Sequence, residues 1–105
     1  MVTAAELIAE ARNSRIKKVT ILGREFCLRK FSSDVVMAIS RRAREGEPFT
    51  VADWLEQGVC NEDDSPFFTA EQAVEYAKIE GLVAVRIVDE LASLCGYGGD
   101  DAEKN

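Results

Sequence analysis

The stretch from Leu82 to Cys95, LVAVRIVDELASLC, constrains the fold more than any other part of the sequence. Its apolar residues recur at helical spacing on more than one side, which predicts a helix that packs against several neighbours at the centre of a domain. Its charged residues, Arg86, Asp89 and Glu90, define one narrow solvated strip. The segment is shorter than the ~20 apolar residues that span a bilayer, so the sequence predicts no membrane partner.

Length and charge suit one domain, with residues 1–99 as its body and residues 100–105 as a mobile polar tail. The formal net charge of −6 is unevenly distributed. Residues 1–48 hold ten of the thirteen basic residues and only six of the nineteen acidic ones, so this half is basic and the remainder strongly acidic. The two halves either neutralise each other within the fold or present opposite charges to different partners, and the sequence leaves both open.

The residues that usually carry chemistry are sparse. The chain has no histidine, and its three cysteines, Cys27, Cys60 and Cys95, are far apart. An odd number of cysteines without metal-ligand spacing predicts reduced thiols in a cytoplasmic protein, with Cys27 and Cys95 in the core. Without an imidazole base, a phosphate-binding glycine loop or an EF-hand pattern, the sequence predicts no enzyme, no catalytic residue, no cofactor and no metal site.

An N-terminal β-hairpin is predicted from two short runs of β-branched and aromatic residues. The runs are Val19–Leu22 and Glu25–Phe31, and the predicted turn is Gly23-Arg24. Apolar residues alternate with polar ones, so one face of the hairpin is expected to pack on helices. Because two strands alone are marginally stable, either a third strand or a homo-oligomer is expected to complete the sheet.

Further helices are predicted from residues that favour N-caps. Thr3 with Glu6, and Thr69 with Gln72, have the form of capping boxes. Gly81 weakens the helix that follows Thr69, so we expect a bend or break around residues 79–81, with one continuous helix as the alternative. The expected helices span about ten residues ending near 13–14, residues 34–44, residues 51–57 and a segment running from 70 past 77. The fold class is therefore α+β: a mostly helical small domain with one N-terminal β-hairpin packed against four to five helices.

The order of these parts resembles the tail assembly chaperones of long-tailed, siphovirus-type bacteriophages and prophages. The resemblance covers residues 15–105. It rests on the hairpin VTILGREFCLRKFSS, the acidic turn and helix NEDDSPFFTAEQAVEY, and the apolar helix GLVAVRIVDELASLCGYGG. Ser65 stands where the family usually has a glycine in the acidic turn.

The resemblance implies a protein of the host cytoplasm that binds and solubilises the tape-measure protein before the tail tube polymerises, and that is absent from the mature virion. It would shield an amphipathic helix with an apolar groove, while its own charge prevents aggregation. The resemblance also implies that a frameshift-extended product engages the tail tube protein. The final residues, Lys104-Asn105, are compatible with a slippery codon run.

Two other classes of function stay open. One is a small non-enzymatic adaptor or antitoxin-like module that uses Arg41, Arg42 and Arg44 on nucleic acid, a partner that the acidic composition disfavours. The other is a structural head–tail component of a phage. For a binding protein, the candidate contacts are apolar residues that a small core does not obviously accommodate, with ordinary burial as the alternative for each. They are Trp54, Phe67, Phe68, Leu82 and Val85.

Overall fold

The computed structural model describes residues 2–96. Within this range, five helices and one three-stranded antiparallel sheet make up the domain, which confirms the predicted α+β fold. The elements in chain order are α1 (Ala4–Asn13), β1 (Ile16–Ile21), β2 (Arg24–Arg29), α2 (Ser33–Arg44), α3 (Val51–Gly58), β3 (Val59–Cys60), α4 (Ala70–Ile79) and α5 (Gly81–Leu94). The predicted polar tail of residues 100–105 lies outside the described residues.

The sheet has the strand order β1-β2-β3. β1 and β2 form the predicted hairpin, with Ile16 opposite Arg29 at its open end. β3 follows α3 directly and pairs antiparallel with β2, so that Cys60 lies opposite Cys27. Of the two alternatives for completing the sheet, the chain therefore supplies a third strand.

The hairpin turn lies one residue earlier than predicted. Its central residues are Leu22 and Gly23, with φ of 49° and 85°, and Ile21 pairs with Arg24. Positive φ at both central positions is typical of a type I′ turn, whose twist matches that of the flanking strands. Arg24 consequently belongs to β2 and not to the turn. Leu22 is exposed and adopts a left-handed conformation that glycine or asparagine adopts more readily.

The core lies where α3, α4 and α5 pack together and against the sheet. α5 is its central helix, as predicted, and buries Val83, Ala84, Ile87 and Leu91. The largest side chains that are completely enclosed come from the sheet, α3 and α5: Leu28, Leu55, Val59, Ile87 and Leu91. α3 and α5 approach closely at Gly58, where an added Cβ atom would overlap the side chain of Leu91.

Side-chain caps define most of the helix starts. Thr69 and Gln72 form both bonds of the predicted capping box, and Thr50 forms a second box with Asp53. At Thr3 only one of the two bonds forms, because the Thr3 hydroxyl accepts from the Glu6 N–H without a return bond. α4 and α5 are separated at residue 80, whose φ of −115° and ψ of 59° end the first helix. The predicted break is therefore confirmed.

The two outer helices contribute nothing to the core, because neither α1 nor α2 contains a buried residue.

The three cysteines differ in how deeply they are buried. Cys60 is buried within the sheet, whereas Cys27 and Cys95 are only half-buried, so the prediction that those two belong to the core is wrong. Burial raises the pKa of the Cys60 and Cys95 thiols. All three are free thiols.

Candidate partner-binding surface

Exposed apolar side chains concentrate around the junction of α4 and α5. Ten large hydrophobic residues are exposed within residues 2–96, and half of them lie between Phe67 and Val85. Among these five, the most exposed are Ile79, at 71%, and Leu82, at 62%, on either side of the break between the two helices. Clustered exposed apolar side chains, unlike scattered ones, indicate a binding surface.

The first part of this surface is a shallow depression of about 350 Å³ that we call the aromatic groove. Phe68 contacts two other rings of its lining, with its ring centroid 4.9 Å from that of Phe67 and 5.3 Å from that of Tyr76. The complete lining consists of Phe67, Phe68, Gln72, Glu75, Tyr76 and Ile79.

Helical geometry explains how α4 builds the groove. Its lining residues on α4 follow spacings of three and four, so they share one face of the helix. On another face, Ala73 is fully buried and Ala77 packs against the core. The capping box at Thr69 fixes the path of the chain into α4, and this places the two phenylalanines beside the first turns of the helix.

The second part of the surface is the outer face of α5. Leu82 and Val85 lie there beside Arg86 and Asp89 at helical spacing, and all four side chains are exposed. The narrow charged strip predicted for this helix therefore also carries two apolar residues. Arg86, Asp89 and Glu90 continue this face toward the hairpin turn, where they line a shallow depression with residues 20–22.

The five candidate residues divide into three exposed and two packed side chains. Phe67, Leu82 and Val85 are each about half exposed or more. Phe68 is only 9% exposed and belongs to the core, so it can offer a partner no more than the edge of its ring. Trp54 is half-buried and packs against the core, with its ring centroid 5.1 Å from that of Phe31.

Sequence reasoning missed two residues of this surface, Tyr76 and Ile79. Both lie on the groove face of α4: Tyr76 follows the groove residue Gln72 by four positions, and Ile79 follows Glu75 by four. A helical projection anchored on the Thr69 cap would have identified that face. Ile79 also precedes the predicted break, where a helix end leaves its last apolar side chain without a following turn to cover it.

Charged residues from the two halves of the chain form ion pairs within one folded domain. Each of the four ion pairs among residues 2–96 joins a cation from residues 1–48 to a carboxylate from the later residues. They are Arg15–Asp64 at 2.9 Å, Arg29–Asp64 at 3.1 Å, Lys18–Glu62 at 2.7 Å and Arg42–Asp53 at 3.3 Å. The basic half therefore neutralises part of the acidic half within one molecule, as the first of the two alternatives proposed.

Three of these ion pairs, those of Asp64 and Glu62, hold the acidic turn at residues 61–66 against the hairpin. Its Asp64 has a φ of 71° and receives hydrogen bonds from Arg15 and Arg29. The hydrogen bond and charge of Lys18 lower the pKa of Glu62, and Glu62 in turn raises the pKa of Lys18. Hydrogen bonds from the Ser65 side chain and backbone lower the pKa of Asp63. The carboxylates of this turn therefore stabilise its conformation and its contact with the hairpin.

The arginine cluster at the end of α2 is partly engaged in the same way. Arg42 pairs with Asp53 and lies 5.2 Å from the centre of the Phe49 ring, whereas Arg41 and Arg44 are exposed. In residues 2–96, no three His, Cys, Asp or Glu side chains are grouped so that they could hold a metal ion. Over the same residues, no helix has both the length and the apolar composition to cross a membrane.

Comparison with protein-family models, with curated proteins and with solved structures found no match to this chain. The chemistry of the surface must therefore be judged from its own residues. Aromatic and aliphatic side chains form its floor, while Gln72, Glu75 and Arg86 supply polar groups near its edges. Such an arrangement can bind the apolar stripe of a helix and position polar or basic groups beside it.

Proposed function

We propose that the protein is a tail assembly chaperone of a siphovirus-type phage or prophage. It binds the tape-measure protein through the surface that the aromatic groove and the outer face of α5 form together, and it keeps that protein soluble before the tail tube polymerises. The observation that carries the proposal is the concentration of exposed apolar side chains between Phe67 and Val85 on a domain whose core is complete without them.

The shape of the surface supports a helical partner. The groove residues on α4 follow one helix face, and after the break that follows Ile79 the first turns of α5 add the exposed apolar side chains of Leu82 and Val85. An amphipathic helix presents anchors at similar spacing, and it can fill such a groove with consecutive turns. Aromatic rings such as Phe67 and Tyr76 are frequent energetic centres of protein interfaces.

The charge of the domain supports a solubilising role. α4 carries Glu71 and Glu75, and Glu80 follows its last turn, so acidic groups flank the apolar area and favour a partner with basic residues beside its apolar stripe. The net charge of −6 would keep the complex from associating further. In this proposal the protein is not an enzyme, acts in the host cytoplasm and is absent from the finished virion, and a frameshift-extended product contacts the tail tube protein.

The proposal is tested by co-expression with a fragment of the tape-measure protein encoded in the same phage or prophage genome. We expect the chaperone to raise the soluble yield of the fragment and to co-purify with it. Val85→Asp and Ile79→Asp each place a charge in the apolar surface. Each should weaken binding of the fragment about 10-fold or more, because the loss of one interface anchor costs ~1.4 kcal/mol or more of binding free energy. Titration calorimetry measures the affinity.

The matched control is Met37→Asp on α2, because Met37 is also an exposed apolar residue but lies outside the proposed surface. We expect this variant to bind the fragment as the unchanged protein does. Circular dichroism of all three variants should be unchanged, since each of these side chains is about half exposed or more. Equal weakening by all three variants would contradict the proposed surface.

Two further observations separate the chaperone from its alternatives. A head–tail component would be recovered in stoichiometric amounts from purified particles, whereas the chaperone should be missing from them. An antitoxin-like module would bind DNA with a steep salt dependence that Arg41→Ser with Arg44→Ser removes. The gene of a chaperone is expected between those of the tail tube protein and a very long tape-measure protein.

A further inference from the structure

Two of the three free cysteines lie directly opposite each other in the sheet. Cys27 on β2 is the register partner of Cys60 on β3. Directly opposite residues of an antiparallel pair project to the same face of the sheet, with Cα atoms about 4.5–5.5 Å apart. Disulfides join cysteines whose Cα atoms are roughly 4.4–6.8 Å apart. The backbone of this pair therefore suits a disulfide without movement of either strand.

The side chains of the pair are also close to each other. The Cys60 thiol donates a weak hydrogen bond to the Cys27 carbonyl oxygen, with Sγ 3.6 Å from that oxygen. Because the register and the face are already set, rotation about side-chain bonds is the movement that brings the two sulfurs together. A surface depression of about 140 Å³ is lined by both cysteines, so small molecules can reach the pair from solvent.

The third cysteine lies away from this pair. Cys95 follows α5, whose Leu91 shares the core with Leu28 of β2. Leu28 directly follows Cys27 in the strand, so the two side chains project to opposite faces of the sheet. The Cys95 Sγ accepts a hydrogen bond of 3.4 Å from the N–H of Phe31, beyond the end of β2. Cys95 therefore lies on the α5 side of the sheet, and Cys27 and Cys60 project to the other side.

We infer that Cys27 and Cys60 are a redox-sensitive pair, which peroxide oxidises to an intramolecular disulfide that joins β2 to β3. Cys27 reacts first, because it is half-buried whereas Cys60 is only 2% exposed. Its sulfur attacks one peroxide oxygen, the O–O bond breaks, and the departing hydroxide takes the Cys27 proton as water. The product is a sulfenic acid.

The second step closes the disulfide. The Cys60 sulfur attacks the sulfenic sulfur of Cys27, and the S–O bond breaks. The departing hydroxide takes the Cys60 proton and leaves as a second water. One peroxide thus accepts two electrons and two thiol protons, and it yields one disulfide and two waters. A small thiol such as glutathione reverses the reaction by thiol–disulfide exchange.

The disulfide fixes the strand that adjoins the partner-binding surface. β3 has only two residues, and the Phe67 N–H donates to the carbonyl oxygen of Val59 in this strand at 3.4 Å. A covalent bond from Cys60 to β2 holds β3 and, through that hydrogen bond, restricts the movement of Phe67. The inference does not depend on the proposed client, since both thiols belong to this chain.

The test exposes the dilute folded protein to excess hydrogen peroxide over a time course and maps its peptides without reduction. Trypsin should release residues 25–29 linked to residues 45–78, the segments that contain Cys27 and Cys60. Residues 87–104, which contain Cys95, should keep an alkylatable thiol at the time when the linked peptides form. Dithiothreitol should then restore all three alkylatable thiols.

Cys27→Ser and Cys95→Ser are a matched pair of variants, since both side chains are half-buried. Cys95→Ser should form the disulfide at the rate of the unchanged protein. Cys27→Ser, if folded by circular dichroism, should form no disulfide and should keep an alkylatable Cys60. A disulfide that includes Cys95 in the unchanged protein would overturn the inference. Three thiols that survive in the folded protein, under peroxide that fully oxidises free dithiothreitol, would overturn it as well.

Hydrogen exchange measured by mass spectrometry tests the effect on the sheet edge. Residues 59–67 should exchange several-fold more slowly in the oxidised protein than in the reduced protein, whereas residues 4–13 of α1 should exchange equally in both. Equal exchange of residues 59–67 in the two forms would contradict the restriction of Phe67. Binding of the tape-measure fragment is measured with the reduced protein, so failure of the proposed function and failure of this inference are separate results.

Discussion

The helices α1 and α5 differ in two respects: the sequence signals at their ends and the number of residues that they bury. α1 has a capping threonine, an acidic residue in its first turn and a basic residue in its last turn, yet it buries nothing. α5 begins with Gly81, has no side-chain cap and has no such charges at its ends, yet it supplies four core residues. Local signals therefore define where a helix starts and stops, whereas burial of an apolar face determines how much it stabilises the domain.

The largest expected effect is the difference in the free energy of unfolding between a leucine-to-alanine substitution in α5 and one in α1. Leu91→Ala removes a fully enclosed side chain of α5 and should lower the free energy of unfolding by about 2–5 kcal/mol. Leu7→Ala in α1 should change it by less than about 0.5 kcal/mol. Urea unfolding at low protein concentration, where copies are separate, measures both. A comparable loss in Leu7→Ala would mean that α1 packs on its own domain.

A smaller effect is expected where α5 meets α3. Gly58→Ala introduces a methyl group against the Leu91 side chain, and such overpacking should cost about 1–3 kcal/mol. Gly81→Ala is the control, because open space surrounds that position at the start of α5. Its effect on thermal unfolding should stay within about 0.5 kcal/mol. Equal effects at the two positions would indicate that the α3–α5 contact is looser than described.

Two capping threonines offer a third comparison. Thr69→Ala removes the cap of α4, a helix packed in the core, and should cost about 0.5–2 kcal/mol. Thr3→Ala removes the cap of α1, so it should reduce helical signal near the N-terminus and leave the global unfolding midpoint unchanged. Circular dichroism and urea unfolding report the two quantities separately. A shifted midpoint in Thr3→Ala would contradict the independence of α1 from the core.

The smallest effect concerns pH. The pKa values of Glu62 and Asp63 are lowered in the folded state, so their contribution to stability is present above their unfolded values of about 4 and is lost as the pH falls further. We therefore expect the unfolding midpoint to decline on acidification from about pH 5 to pH 3, and Lys18→Gln to make that decline shallower. Glu10→Gln, which removes a carboxylate from α1, should leave the decline as it is.

Much of the fold could be predicted because its signals are local. Alternating residues define the hairpin, and the Thr69 capping box and Gly81 define both ends of α4. The predicted hairpin turn lies one residue late because Leu22 is apolar, and its left-handed conformation goes with a strand register in which Ile21 pairs with Arg24. The burial of Cys60 likewise depends on β3 pairing with β2, a contact between distant parts of the chain.

The binding surface could be predicted only in part for the same reason. The pair Phe67-Phe68 signals apolar contact, but the pair by itself does not state which ring faces inward. The capping box helps, since the residue before an N-cap usually packs toward the fourth helical residue, here Ala73. That rule places Phe68 inside and leaves Phe67 outside. Leu82 and Val85 are exposed because the neighbours of α5 cover only its other sides, which no local pattern reveals.

Leu22 is a position at which the hairpin can be stabilised. The residue holds a backbone conformation that costs an ordinary L-amino acid about 1–2 kcal/mol, and its side chain is 58% exposed. Asparagine followed by glycine is the pair that such turns favour most. The tip of the hairpin is therefore the place where a single replacement can recover stability without disturbing the core, and where laboratory evolution of a sturdier chain should begin.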